Sequence, residues 1–288
     1  MSIPSEIMAA VRNGDKHTVL RFLDEGGDVN AYHYLGWTLL THSAWHSNVE
    51  LCRELLARGA DPNIRQRDDT MASPLCEAIL GAEGGVSKPF PRLVAAWSAT
   101  PSGQIFQMLV ESGADLNACT YIGWGGNFIS YAHEGRGSLL ARMLIYFGQR
   151  DEDDHPLFLE IVTALLRAGA RLELIIEDQA SGETHSALWC LYQAIAVGPD
   201  LTQDEYFTKT RELILGVYED GSFKRFVRRP HRAVLRLRWL VCRGRAKPRR
   251  AFTFFSSGRA IEFLCKELDS DGYDGIVWNI LSFWRASN

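Results

Sequence analysis

His42 and His46 stand four residues apart, the step that puts two imidazoles on one face of a helix and lets them share a metal ion. The glutamate of an H-E-x-x-H site is missing and no third ligand lies near, so no metal site is expected and His42 reads as a solvated surface residue. The run Asp151-Glu152-Asp153-Asp154-His155 offers oxygen ligands without the alternation and glycine of a calcium loop, and reads as a solvated acidic loop. Gly123-Trp124-Gly125-Gly126 lacks the Lys and Ser/Thr of a phosphate loop. No G-x-S-x-G elbow occurs. Nothing assembles a nucleophile, a base and an oxyanion donor, so neither an enzyme nor a cofactor is expected. Six cysteines at 52, 76, 119, 190, 242 and 265 form no C-x-x-C pair. They read as reduced thiols, with Cys52, Cys76 and Cys190 acting as small hydrophobes.

The residue types left are those of recognition, and a repeated frame must position them. Gly26-Gly27-Asp28-Val29-Asn30, Gly59-Ala60-Asp61-Pro62-Asn63 and Gly113-Ala114-Asp115-Leu116-Asn117 are three copies of one pattern, and Gly169-Ala170-Arg171-Leu172-Glu173 is a degenerate fourth. Asn30 and Asn63 are 33 residues apart, whereas the third and fourth copies follow after 54 and 56. Each copy follows a segment with apolar residues at three- and four-residue steps, such as Leu51-Cys52-Arg53-Glu54-Leu55-Leu56, the sign of a helix burying one stripe. The glycine is expected to end that helix in the left-handed conformation, and the Asp and Asn to set the following turn. Ser5, Thr38, Ser73 and Ser186 are suited to cap the shorter helices that open each unit.

Gly36-Trp37-Thr38-Leu39-Leu40-Thr41-His42-Ser43-Ala44 and Ser73-Pro74-Leu75-Cys76-Glu77-Ala78 match in part the pattern Gly-x-Thr-Pro-Leu-His-x-Ala. Residues 4–175, and more weakly those to 215, thus resemble the ankyrin-repeat family. Leu39 stands in place of the Pro, Thr41 and Cys76 in place of the His, and Glu173 in place of the Asn, which points to a looser array. The expected fold is all-α, an ankyrin-type solenoid of four to five helix-turn-helix repeats over 1–220. Loops inserted at 81–101 and 148–156 should project between an inner helix and its outer helix. A fifth helix pair is expected at 186–197 and 203–218. Residues 221–288 should hold a basic segment and a helical cap for the last apolar face.

The resemblance implies protein binding through hairpin tips and inner helices. The sequence adds that Asn30-Ala31-Tyr32-His33-Tyr34-Leu35-Gly36-Trp37 and Asn117-Ala118-Cys119-Thr120-Tyr121-Ile122-Gly123-Trp124 share Asn, Ala, Tyr, an aliphatic, Gly and Trp in register. Tyr and Trp on rigid tips dominate interface energetics, although the tryptophans would equally serve to pack neighbouring tips. The candidate partner-binding set is Tyr32, Tyr34, Trp37, His42, Trp45, His46, Arg65, Arg67, Tyr121 and Trp124, with Glu77 adjoining.

From Lys224 to Arg250 there are 12 Lys/Arg and no Asp/Glu, which leaves 19 basic against 35 acidic residues elsewhere, a body near −16. Lys224, Arg225, Arg228, Arg229 and Arg232 lead this patch, which would bind a polyanion, act as a nuclear-import signal or pair with its own acidic body. Its apolar residues Leu235, Leu237, Leu240 and Val241 favour a helix over 234–243 with its arginines solvated, so nucleic acid is not the expected partner. The tail Ile276-Val277-Trp278-Asn279-Ile280-Leu281-Ser282-Phe283-Trp284 is similar to the opening helix of an F-box, which implies an adaptor recruiting substrates to a ubiquitin ligase as the alternative to a scaffold. The longest apolar run, 139–147, contains Arg142, so no membrane span is expected. Early charges and the missing N-x-S/T sequon argue against secretion. The expectation is a monomeric scaffold of the cytoplasm, with the nucleus as the alternative, that binds an unidentified protein.

Overall fold

Glycines 26, 59, 113 and 169 each take positive φ, between 86° and 109°, where L side chains are strained, and each ends a helix of the computed structural model. The structure describes residues 2–67, 72–82, 96–118, 120–122, 135–147, 154–173, 176–178 and 184–229. Besides a helical stretch at 223–229, ten helices lie there in five antiparallel pairs. They are α1 Ser5–Arg12 with α2 Lys16–Asp24, α3 Leu39–Trp45 with α4 Val49–Ala57, α5 Pro74–Ala82 with α6 Pro101–Glu111, α7 Leu139–Tyr146 with α8 His155–Ala168, and α9 Ala187–Val197 with α10 Glu205–Asp220. This is the helical solenoid expected from the sequence, fifth pair included. The chain divides into two units, 1–223 and 224–288, and the helix pairs all belong to the first.

Burial follows the stripes. Leu51, Cys52 and Leu55 on α4, Ile105, Phe106 and Leu109 on α6, and Ile161, Val162, Leu165 and Leu166 on α8 are all buried. At roughly 25 cal/mol per Å² of apolar surface, each large side chain contributes about 1.5 to 3 kcal/mol, which stabilises the stack against backbone entropy. Inner helices α1, α3 and α5 pack in succession, as do outer helices α4 and α6, and α7 and α8 pack on α9 and α10 respectively. Burial pushes the Cys52 and Cys190 thiols up to about 12, as expected of small hydrophobes.

The hairpin joining each outer helix to the next inner helix forms a finger, and the Asp–Asn pair builds its base. Asp28, Asp61 and Asp115 each accept from the amide two residues on, at 2.9, 2.8 and 2.9 Å. The asparagines then reach the next unit. The Asn30 side chain donates to the Gly59 carbonyl at 3.2 Å and accepts from the Asp61 amide at 2.9 Å. Asn63 repeats this with Gly113 and Asp115, and Asn117 accepts from Arg171.

Caps divide. Thr38 forms a reciprocal capping box with Thr41, and Ser73 accepts from the Cys76 amide at 3.2 Å. Ser5 is not a cap: Pro4 holds that position with extended backbone, and the Ser5 hydroxyl instead lies 3.2 Å from His33 Nε2. Ser186 sits at the cap of α9 without a side-chain bond, whereas Ser138, which the sequence reading passed over, accepts from Ala141 above α7.

The helical solenoid carries one addition that the sequence reading lacks. Strands β1 Thr120–Ile122, β2 Gly135–Gly137, β3 Ile176–Asp178 and β4 Thr184–His185 form an antiparallel four-stranded ribbon in that order. Strands β1 and β2 belong to the third finger and β3 and β4 to the fourth, joined where Gly135 pairs with Asp178 and Gly137 with Ile176. The breaks at 81–101 and 148–156 fall between α5 and α6 and between α7 and α8, with most of their residues outside those described. His155 is not part of a solvated loop. It opens α8 at 2% exposure, against the Phe147 ring and 3.0 Å from an Asp204 carboxylate oxygen.

Candidate functional site

Finger 1 turns tightly at its tip. The His33 amide donates to the Trp37 carbonyl and the Gly36 amide to the His33 carbonyl, both at 2.8 Å, with Gly36 at φ 86°. That turn holds Tyr34 at 74% and Leu35 at 55% exposure, far above the rest of the large apolar residues of this finger. Finger 2 braces it from one side: the Arg67 amide donates to the Gly36 carbonyl at 3.0 Å. Tyr32 donates its hydroxyl to the Arg65 carbonyl at 3.1 Å, and the Arg67 guanidinium lies 3.8 Å above the Tyr32 ring. Tyr32, Arg65 and Arg67 therefore lock fingers 1 and 2 together.

Trp37 folds back from the tip and is half-buried, with its ring edge-on to His42 at 5.4 Å and to Trp45 at 6.1 Å. This tryptophan packs against α3 and also walls a cavity of about 350 Å³. Met8 and Arg12 of α1, His33, Leu35 and Trp37 of finger 1, and His42, Trp45 and His46 at the end of α3 line that space. Three elements converge because Pro4 starts α1 just beneath the finger, where the Ile3 amide donates to the Tyr32 carbonyl.

His42 is a correction. It is buried, at 9% exposure, because Trp37 and His46 cover it. Its Nε2 lies 3.2 Å from Nε2 of His46, while its Nδ1 is buried with no hydrogen-bond partner. Burial, helped by the charges of His46, Arg12 and His33, lowers its pKa to about 4. Burial and Arg12 also lower that of His46, and burial that of His33. All three shifts favour the neutral imidazole. His33 Nδ1 accepts from the Leu35 amide at 3.4 Å, which assigns the ring proton to Nε2, facing Ser5.

Glu77 is buried and accepts from the Gln66 side chain at 2.9 Å, tying finger 2 to α5. Tyr121 lies in β1, in the third finger and apart from finger 1 in the chain. Trp124, Arg232, the helix expected over 234–243 and the F-box-like tail lie outside the described residues, so the matched register of the two fingers is seen on one side only. Lys224, Arg225, Arg228 and Arg229 fall in a helical stretch, 223–229, and Lys224, Arg225, Arg228 and Arg229 are exposed. Among the described residues no group of three or more His, Cys, Asp or Glu is placed to hold a metal, and no helix is long and apolar enough to cross a membrane.

A family model for ankyrin repeats, in three copies, matches residues 6–66. Finger 1, the first part of finger 2 and the residues lining the cavity fall within that stretch. Residues 6–66 are ankyrin repeats. Stretches of this chain are similar to other proteins: 58 residues, 20% of the chain, are 48% identical to the mitochondrial disaggregase of Bos taurus and 58, again 20%, are 47% identical to that of Homo sapiens. A stretch of 69 residues, 24% of this chain, is 39% identical to the ankyrin repeat, SAM and basic leucine zipper domain-containing protein 1 of Neofelis nebulosa. The aligned part spans 9%, 8% and 14% of those proteins, so the likeness is one of repeats. Ankyrin repeats imply protein–protein interaction.

Proposed function

We propose that the repeat domain, 1–220, is a binding scaffold without chemistry of its own, whose partner protein lies across the tip of finger 1 and the ends of α1 and α3. The observation that carries this reading is the exposure of Tyr34 and Leu35 on a turn held by backbone hydrogen bonds and braced by finger 2. A large apolar pair held rigidly in water loses little conformational entropy on docking, the property of an interface anchor. The cavity behind it supplies the pocket into which a partner side chain would fit. The free buried thiols of Cys52 and Cys190 suit a reducing, intracellular setting, where the scaffold acts as a monomer.

The test is photo-crosslinking with a benzophenone amino acid at position 34 and, as control, at exposed position 53 on α4. The expected result is a discrete partner captured from position 34 alone and lost on Leu35→Ser. Capture of the same protein from both positions, or from 53 only, would place the binding surface elsewhere.

A further inference from the structure

The cavity beneath finger 1 has an unusual chemical balance. Among the described residues no Asp or Glu lines it, in a chain that has 35 of them. What does line it are hydrogen-bond donors set in apolar walls. Arg12 makes no ion pair with any described residue. The indole N–H groups of Trp37 and Trp45 make no hydrogen bond to a described residue, and His42 Nδ1 is buried and unpartnered. Arg12 is exposed at the rim of the pocket, so a carboxylate docking there exchanges water for a charge-assisted hydrogen bond. Met8, Leu35 and the two indole rings offer it an apolar bed.

We propose that this cavity receives a carboxylate side chain, followed by an apolar residue, from an extended segment of the partner protein. This rests on the binding reading above and names its chemistry. The carboxylate would accept from the Arg12 guanidinium and an indole N–H, a charge-assisted arrangement in a site where no acid competes. The apolar neighbour would lie along Leu35 and Trp37. A transition metal held by His42 and His46 is the weaker fit, because the Arg12 cation faces the same space.

The test uses the full chain and three fluorescein-labelled decapeptide pools, identical except for a fixed central pair of Glu-Leu, Gln-Leu or phosphoserine-Leu. Fluorescence polarisation should show the Glu-Leu pool bound at least about tenfold more tightly than the Gln-Leu pool. Arg12→Gln, at an exposed helix end, should bring that ratio below about twofold, and Trp37→Phe should weaken the Glu-Leu pool while keeping the ring. The indole N–H resonances of Trp37 and Trp45 should move with Glu-Leu and stay still with Gln-Leu. Equal binding of the Glu and Gln pools, a preference that survives Arg12→Gln, or no binding by any pool overturns the proposal. A phosphoserine pool bound an order of magnitude better than Glu-Leu also overturns it, in favour of a phosphopeptide. If crosslinks from position 34 persist while the Glu preference is absent, the scaffold reading stands and the carboxylate assignment alone falls.

Discussion

His42 joins the pocket to the stability of the fold. Its folded pKa of about 4 lies below the ordinary 6.5, so between these values the unfolded chain binds a proton that the folded chain refuses. Stability from this group is fully present above pH 6.5 and is lost as pH falls towards 4. The full shift corresponds to at most about 3 kcal/mol, less after solvent screening. His42→Gln should therefore flatten the fall in melting temperature between pH 7 and pH 4.5. A parallel fall in wild type and variant would show that other groups dominate. The sequence could not disclose this burial. Helical spacing shows that His42 and His46 share a face, but which face is covered depends on Trp37 turning back from a finger, a tertiary event with no local signature. The Ser5 cap failed for a local reason that was legible: Pro4 already fixes extended backbone at that position.

At the scale of elements, the fingers were the most readable part, because Gly, Asp and Asn act through their own backbone. The Gly-x-Asp-x-Asn copies gave the turns, the helix ends and the spacing. What they did not give is the reach of each asparagine to the next unit, which exists only once two units stack. Asn63→Ala removes bonds to Gly113 and Asp115 that link fingers 2 and 3, so it should cost about 1 to 2 kcal/mol in chemical denaturation. An unchanged midpoint would make the ladder decorative. A harsher effect is expected at Gly103, where an added Cβ would come within 2.2 Å of the Trp97 carbonyl oxygen, backbone that has little room to move. Gly103→Ala should therefore destabilise by about 1 to 3 kcal/mol, read by the same titration.

For the molecule as a whole, stability accumulates by nearest neighbours, and the loss of one buried anchor should be felt by the units on either side. Leu55 and Leu109 are both fully buried on the stripes of α4 and α6. Changing either to Ala should cost about 2 to 5 kcal/mol and expose the adjoining repeats to limited proteolysis at 37 °C. Melting within a degree or two of wild type for both would contradict the packing described. The solenoid itself was readable from the repeated stripe, but the ribbon of β1 to β4 was not: Gly135-Arg136-Gly137 has no alternation, and its partner strand is another finger some forty residues on. That ribbon makes the first unit of the chain mechanically lopsided. Fingers one to three are tied at their bases by side-chain amides, with a single main-chain bond from Arg67 to Gly36 nearer the tip, contacts that can be exchanged for water one at a time, whereas fingers three and four are zipped by main-chain pairs that must part together. Stretched from its two ends, such an array would give way like a rope spliced at one end, its amino-terminal turns paying out while the spliced portion holds.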